Sequence, residues 1–399
     1  MEKETYKIKI IDIDNLGNGI TKIDNIVTFI KGALIDEEIE IKIISKSKRY
    51  QEGKIISIIK PSPLRTSPIC SHFNICGGCS FLHIENTNEL GIKQNYINNL
   101  FKDIKVNSIV SVNELYYRNK VTFHIKNNKI GYYKENTNEL VEINKCYLLD
   151  KDIDNIFQKI KKLNLTSLEE VIIRKSIANN NLLIEFKGNI NEKELQELKK
   201  TTNISSIYIN NKLIFGDKYL IEQISNYKFS IAPTAFFQVN YDLMINLFDK
   251  IKSFAQGDKL LDLYCGTGII GVLLRENFNK VTGVEISNKA IENANINKEL
   301  NNITNINFIC SDVDKIKDKH YDFLVVDPPR SGLNKTVIKN IINMQPRNII
   351  YISCNPNTLK RDLELLKEEY NIKEITPYNM FPKTNHIECL TSLSLKQHK

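Results

Sequence analysis

Lys259-Leu260-Leu261-Asp262-Leu263-Tyr264-Cys265-Gly266-Thr267-Gly268-Ile269-Ile270-Gly271 decides the fold. An apolar run of strand length carries one aspartate, breaks into Gly-x-Gly-x-x-Gly and continues as a helix. The glycines permit a tight turn and a close approach of backbone to ligand. A second run, Val281-Thr282-Gly283-Val284, ends in Glu285, placed to accept hydrogen bonds from ribose hydroxyls. Taken alone, these features equally fit a dinucleotide-binding fold. Asp312 after a third strand, and Asp327-Pro328-Pro329-Arg330 after the fourth, Phe323-Leu324-Val325-Val326, separate the two readings. Such a polar rim suits a cationic nucleoside without a pyrophosphate, such as S-adenosylmethionine. The expected fold class is therefore α/β, with a Rossmann-like domain over residues 236–399.

In the same stretch, Tyr351-Ile352-Ser353-Cys354-Asn355-Pro356 puts a thiol where a strand opens into a loop, a place where nucleophiles tend to sit. A lone cysteine after a strand is more often a buried small hydrophobe. Polar chemistry at three strand ends reverses that reading. Glu388 precedes the apolar run Cys389-Leu390-Thr391-Ser392-Leu393 and reads as a strand end facing a pocket instead of a surface charge.

Working backwards along the chain, residues 1–58 contain short alternating strands such as Tyr6-Lys7-Ile8-Lys9-Ile10 and Ile39-Glu40-Ile41-Lys42-Ile43, with Gly17, Gly19 and Gly32 at turns. This is the pattern of a small OB-like β-barrel, a frequent nucleic-acid platform. Pro61, Pro63 and Pro68 form a joint, followed by Cys70-x5-Cys76-Gly77-Gly78-Cys79, with Cys146 far downstream. Three thiols on a glycine-bent loop and a distant fourth make a four-sulfur site, open by chemistry to a [4Fe-4S] cluster or a tetrahedral zinc. The glycine pair and uneven spacing favour the cluster. His72 and His83 are alternative ligands, more readily bystanders. Residues 59–235 form a mixed α+β central domain in which Tyr116, Tyr117, Arg118, Asn119 and Lys120 bring aromatic and basic groups together, a cluster able to stack bases and hold phosphates.

The chain has 399 residues, 42% hydrophobic and 26% charged, which is ordinary for a soluble protein of two or three domains. The charged opening Met1-Glu2-Lys3-Glu4 is unlike a signal peptide, and no apolar run is long enough to span a bilayer. A cytoplasmic location follows, in which eight cysteines serve as ligands, nucleophiles or core residues. A net charge of +8 mildly favours a polyanionic partner.

Assembled, these motifs resemble the RNA uracil-5-methyltransferase family, in the iron-sulfur branch that modifies 23S ribosomal RNA. The resemblance spans almost the whole chain and includes Phe236-Phe237-Gln238-Val239-Asn240, the Asp-Leu-Tyr-Cys-Gly turn, Asp-Pro-Pro-Arg, Ser-Cys-Asn-Pro and His386-Ile387-Glu388. It implies a TRAM-like RNA-binding barrel, a cluster on Cys70, Cys76, Cys79 and Cys146, and a cofactor pocket of Gln238, Tyr264, Glu285 and Asp327, joined by Asp312 facing the adenine. It also implies Cys354 as nucleophile and Glu388 as base, acting as a monomer on 23S RNA. Phe236 is placed to stack on an extruded base or to serve as core. Leu82 departs from the family's usual glutamine, and the stretch before Gly216-Asp217-Lys218 looks shortened. The nearest rival is a transfer RNA methyltransferase acting on the T-loop. A nicotinamide-dependent oxidoreductase would leave Asp-Pro-Pro-Arg and Cys354 unexplained, and a non-catalytic RNA-binding cluster protein would need neither nucleophile nor base.

Overall fold

Isoleucine alternation builds the first unit. In Glu38–Lys46 the side chains of Ile39 and Ile41 turn inward and join Ile10, Ile23, Ile30 and Ala33 in a small core, while the flanking charges stay outside. The computed structural model describes residues 5–201, 203–317 and 321–397, so the charged opening residues 1–4 lie outside it. In space the six strands run Thr5–Lys9, Glu38–Lys46, Tyr50–Lys60, Ile26–Lys31, Asn18–Ile23 and Asp12–Ile13. The first and last belong to one continuous run, and the sheet meets itself where the Ile10 and Ile11 N–H groups donate to Glu37 and Ile20 carbonyls.

The central unit is a seven-stranded sheet in the order Lys212–Gly216, Ile204–Ile209, Leu182–Gly188, Leu168–Lys175, Lys120–Lys126, Lys129–Tyr133 and Leu140–Glu142. The helix Lys151–Ile160 covers it because Ile153, Ile156, Phe157 and Ile160 fall on one face and pack with Phe123, Val171 and Phe186. Asp150 caps that helix, accepting from the Asp152 N–H at 2.8 Å.

The C-terminal sheet runs Ile306–Cys310, Lys280–Glu285, Lys259–Leu263, Phe323–Val326, Asn348–Ser353, Glu388–Leu395 and Tyr370–Tyr378. Its central strands are buried and mostly apolar because helices cover both faces. Glu388–Leu395 alone runs antiparallel to both neighbours. Strand order reverses at Lys259–Leu263, whose two sides hold the second and fourth strands of the domain, so a ligand crevice opens at the carboxyl ends. The helix Asn86–Leu100 precedes the central sheet in the chain yet packs here, with Ile97 and Phe101 against Leu261, Leu324 and Leu363. Val106 and Val110 bridge to Ile375 and Tyr378. Among the described residues, no helix is long and apolar enough to cross a membrane.

Candidate active site

The crevice is acidic. Tyr264 follows the first strand with φ +62°, and Gly268 takes φ +77° where an added Cβ would lie 2.4 Å from the Phe308 ring. That turn therefore requires glycine, for conformation and for space. Glu285 accepts from the Gly266 N–H at 3.3 Å and from the Ser287 N–H at 2.9 Å, so its carboxylate braces the glycine turn. Asp262 is wholly buried and accepts from the Gly271 N–H at 3.2 Å, with its other oxygen unpartnered among the described residues. Burial, then the neighbouring Asp327, pushes its carboxyl up to about 8. Asp327 follows Phe323–Val326 and is raised by burial as well. Asp312 caps the turn after Ile306–Cys310, accepting from the Asp314 N–H at 3.1 Å. Gln238 is half-buried, and its carbonyl accepts from the Asn119 side chain at 3.2 Å. Carboxyls held this close in a dry crevice favour a cationic guest.

Cys354 and Glu388 meet at the same edge. The antiparallel register pairs Asn348 with Ser394 and Ser353 with Cys389. One residue beyond that last pair, Cys354 leaves its strand beside Glu388, the first residue of the neighbouring strand. Glu388 is 3% exposed, and burial, then Asp327, raises its carboxyl far above the usual range against the pull of Arg330. Burial, then Glu388 and Asp327, pushes the half-buried Cys354 thiol up to about 11. Burial and their mutual repulsion thus favour the protonated forms of both groups. A cavity of about 260 Å³ opens beside Cys354, lined by Arg330, His386, Tyr96, Asn15 and Leu16 among others. Arg330 Nη2 donates to His386 Nε2 at 3.1 Å, and burial, then Arg330, lowers that imidazole to about 4, so it is neutral. Phe236 is 70% exposed, which excludes a core role, while Phe237 is buried beside it.

The four remaining motif cysteines line one cavity of about 640 Å³ with Arg118 and His72. Burial, reinforced by the neighbouring thiols, raises Cys76 and Cys79, and burial also raises Cys146. Thiolates so placed repel one another unless a positive centre sits between them. Among the described residues, no group of three or more His, Cys, Asp or Glu side chains is arranged to hold a metal ion. His72 accepts from the Asn144 N–H at 3.1 Å, and His83 is buried against Phe73 with ring centroids 4.9 Å apart.

A sequence model of the tRNA (Uracil-5-)-methyltransferase family matches residues 85–396. The chain belongs to that family. It is 34% identical to an uncharacterized RNA methyltransferase of Clostridium acetobutylicum, over 96% of each chain. Another uncharacterized RNA methyltransferase, from Staphylococcus aureus, is 29% identical over 97% of each. The solved structure of Pyrococcus abyssi tRNA (uracil-54, C5)-methyltransferase with S-adenosyl-L-homocysteine matches with a TM-score of 0.83 at 25% identity, covering 97% of this chain and 99% of that one. The protein is accordingly an S-adenosylmethionine-dependent RNA methyltransferase of the uracil-5 type, built on a class I methyltransferase fold.

Some parts of this uracil-5-methyltransferase have no signal in its sequence. Tyr96, Asn15 and Leu16 reach the Cys354 cavity from distant segments. The Tyr116–Lys120 cluster, expected to face RNA, turns largely inward. Tyr117 is 6% exposed and donates to the Pro382 carbonyl at 3.1 Å, while the buried Asn119 N–H donates to the Val239 carbonyl at 3.0 Å. A wholly interior ionic group ties the helix Asn86–Leu100 to the segment before Glu388. Lys93 donates to Glu89 at 2.7 Å and to Asn379 at 2.6 Å, and the Lys383 N–H donates to Glu89 at 2.9 Å. In the sequence, Glu89 and Lys93 look like an ordinary surface i, i+4 pair.

Proposed function

We propose that this enzyme methylates C5 of a uridine in 23S ribosomal RNA through a covalent Cys354–C6 adduct, with Glu388 as base. The observation that supports this reading is that Cys354 and Glu388 stand at adjoining strand ends, close enough to each other and to Asp327 for their charges to act on one another. Uracil C5 is too weakly nucleophilic to take a methyl group directly. Cys354 releases its proton to solvent and bonds to C6, and the C5=C6 electrons become an enolate spread over C5 and O4. C5 then takes the sulfonium methyl, and the broken carbon–sulfur bond leaves its electron pair on the departing thioether. Glu388, as carboxylate, removes the C5 proton; the freed pair restores C5=C6 and expels the Cys354 thiolate. A sulfonium entering beside Asp327 favours ionised carboxyls in the crevice, which opposes the burial that raises Glu388.

Gln238, Tyr264, Glu285, Asp312 and Asp327 would hold S-adenosylmethionine, the Glu285 carboxylate reaching the ribose. The exposed Phe236 stacks on the extruded base. Cys70, Cys76, Cys79 and Cys146 would hold a [4Fe-4S] cluster; all four line one cavity, and thiolates gathered there call for a positive centre between them. Bound there, the cluster would cross-link the loop of residues 70–79 to Cys146 within the central domain of residues 59–235. The self-meeting sheet of residues 1–58 would act as a TRAM-like, OB-type barrel on RNA phosphates, and residues 236–399 as the catalytic domain.

The match to a transfer RNA enzyme of Pyrococcus abyssi favours a second reading, action on the T-loop of transfer RNA. Mapping 5-methyluridine in 23S and transfer RNA from a deletion strain separates the two. Loss from 23S RNA alone is expected, and loss from transfer RNA alone would overturn the first reading.

A further inference from the structure

The turn between Asp12–Ile13 and Asn18–Ile23 belongs to the N-terminal sheet, yet its tip reaches the far domain. Asn15 and Leu16 line the Cys354 cavity together with Asn385 and His386. The turn is braced from within. Asp14 accepts from the Leu16 N–H at 2.9 Å, the Asn18 N–H at 2.8 Å and the Asn18 side chain at 2.9 Å. It is also braced from outside. Gly17 takes φ +85°, and a Cβ there would come 3.1 Å from the Phe81 ring and 3.3 Å from the Ser80 carbonyl. Behind it, Ile13 packs on the small cluster of Leu34, Phe81 and Ile84.

The opposite wall of the cavity is fastened to the same point. The N–H groups of Ser80 and Phe81 both donate to the Lys383 carbonyl, at 2.9 and 3.1 Å. Lys383 is held in turn by Glu114 at 3.0 Å and by Glu89. It stands two and three residues before Asn385 and His386. The N-terminal turn and the segment leading to Glu388 are thus held in register across residues 80–81. On this stiff turn Leu16 is left 49% exposed at the mouth of the reaction cavity. A leucine so placed adds little to folding, and its apolar surface is free to meet a ring.

We infer that the Asn15–Leu16 turn is a wall of the target-nucleotide pocket, seating the pyrimidine against Cys354. This rests on the covalent mechanism proposed above. Leu16 supplies an apolar surface for the base or the flanking nucleotide. The Asn15 amide offers one donor and one acceptor to a pyrimidine edge. The N-terminal sheet then contributes to the chemical step as well as to affinity. A turn that merely spaced the two domains would leave that step unchanged.

The test uses the full chain with Leu16→Ala, Asn15→Ala and the conservative Leu16→Met, and RNA carrying 5-fluorouridine. Covalent-complex formation is followed at saturating RNA, with the dissociation constant and its salt dependence measured separately. Leu16→Ala is expected to slow adduct formation by about tenfold or more, because small misplacements of reacting atoms are costly, while affinity stays within about twofold. Leu16→Met should recover most of the rate, and Asn15→Ala should also be slow. If Leu16→Ala and Asn15→Ala trapped RNA at the wild-type rate, or weakened affinity alone, the turn would not seat the nucleotide. If the wild type itself formed no adduct, the covalent mechanism would fall, and this inference with it.

Discussion

Glu388→Gln keeps the shape of a side chain whose neutral form burial favours and removes its ability to take a proton, so the fold should survive. In the proposed mechanism Cys354 adds to C6 and Glu388 takes the C5 proton of one pyrimidine ring. Proton transfer by a positioned group contributes about 10²–10⁴-fold, or about 2.7–5.4 kcal/mol of barrier. Since the base acts after methyl transfer, the loss falls on release of product. Cys354 still adds to C6 and C5 still takes its methyl, but protein and RNA stay joined. Steady-state turnover should fall by about 10²–10⁴-fold. Denaturing gels should show a slow band that carries methyl label and requires both Cys354 and S-adenosylmethionine. RNA with 5-fluorouridine should trap the wild type in the same way, because fluorine cannot leave as a proton does. Turnover of Glu388→Gln within about threefold of wild type, or a band that persists in the Cys354→Ala background, would refute the assignment of base and nucleophile.

Protein purified anaerobically should be brown and contain iron and acid-labile sulfide that Cys76→Ala loses; stoichiometric zinc without iron would contradict the cluster. Glu89→Gln leaves Lys93 as a buried cation without a carboxylate, while Lys383 keeps Glu114, and should cost about 3–5 kcal/mol in denaturant unfolding. Lys93→Met should cost less, since Glu89 keeps the Lys383 ammonium at 3.7 Å; equal losses would count against this account. Burial, then Asp327, pushes the Asp262 carboxyl from its ordinary 3.8 up to about 8, so the folded state holds its proton more tightly. Its contribution is full below the lower value and is lost as pH rises through the upper one, and Asp262→Asn should flatten that fall in stability. Cofactor binding should release protons to buffer in calorimetry, and unchanged pH profiles with no proton release would refute this.

The sequence by itself determined everything that depends on near neighbours. Alternating isoleucines specify the first strands, Gly266 and Gly268 specify the cofactor turn, and the spacing of Cys70, Cys76 and Cys79 specifies a sulfur loop, because pleat, left-handed φ and loop reach are local properties. The acidic strand ends were legible for the same reason: each closes an apolar run that must be buried. What joins those ends was decided only by the tertiary structure. Glu388 faces Cys354 because one strand enters the sheet antiparallel, and nothing near either residue announces the pairing. Lys93 bonds to Asn379 across 286 residues, turning an apparent surface pair into an interior tie. Tyr117 and Asn119 look like an RNA-facing cluster until the central sheet is laid against the segments around Pro382 and Val239. Leu16 reaches the reaction cavity only because Gly17 seats its turn on Phe81. Which buried groups satisfy one another depends on how the layers dock, and docking follows from faces assembled out of distant segments, which local pattern does not encode.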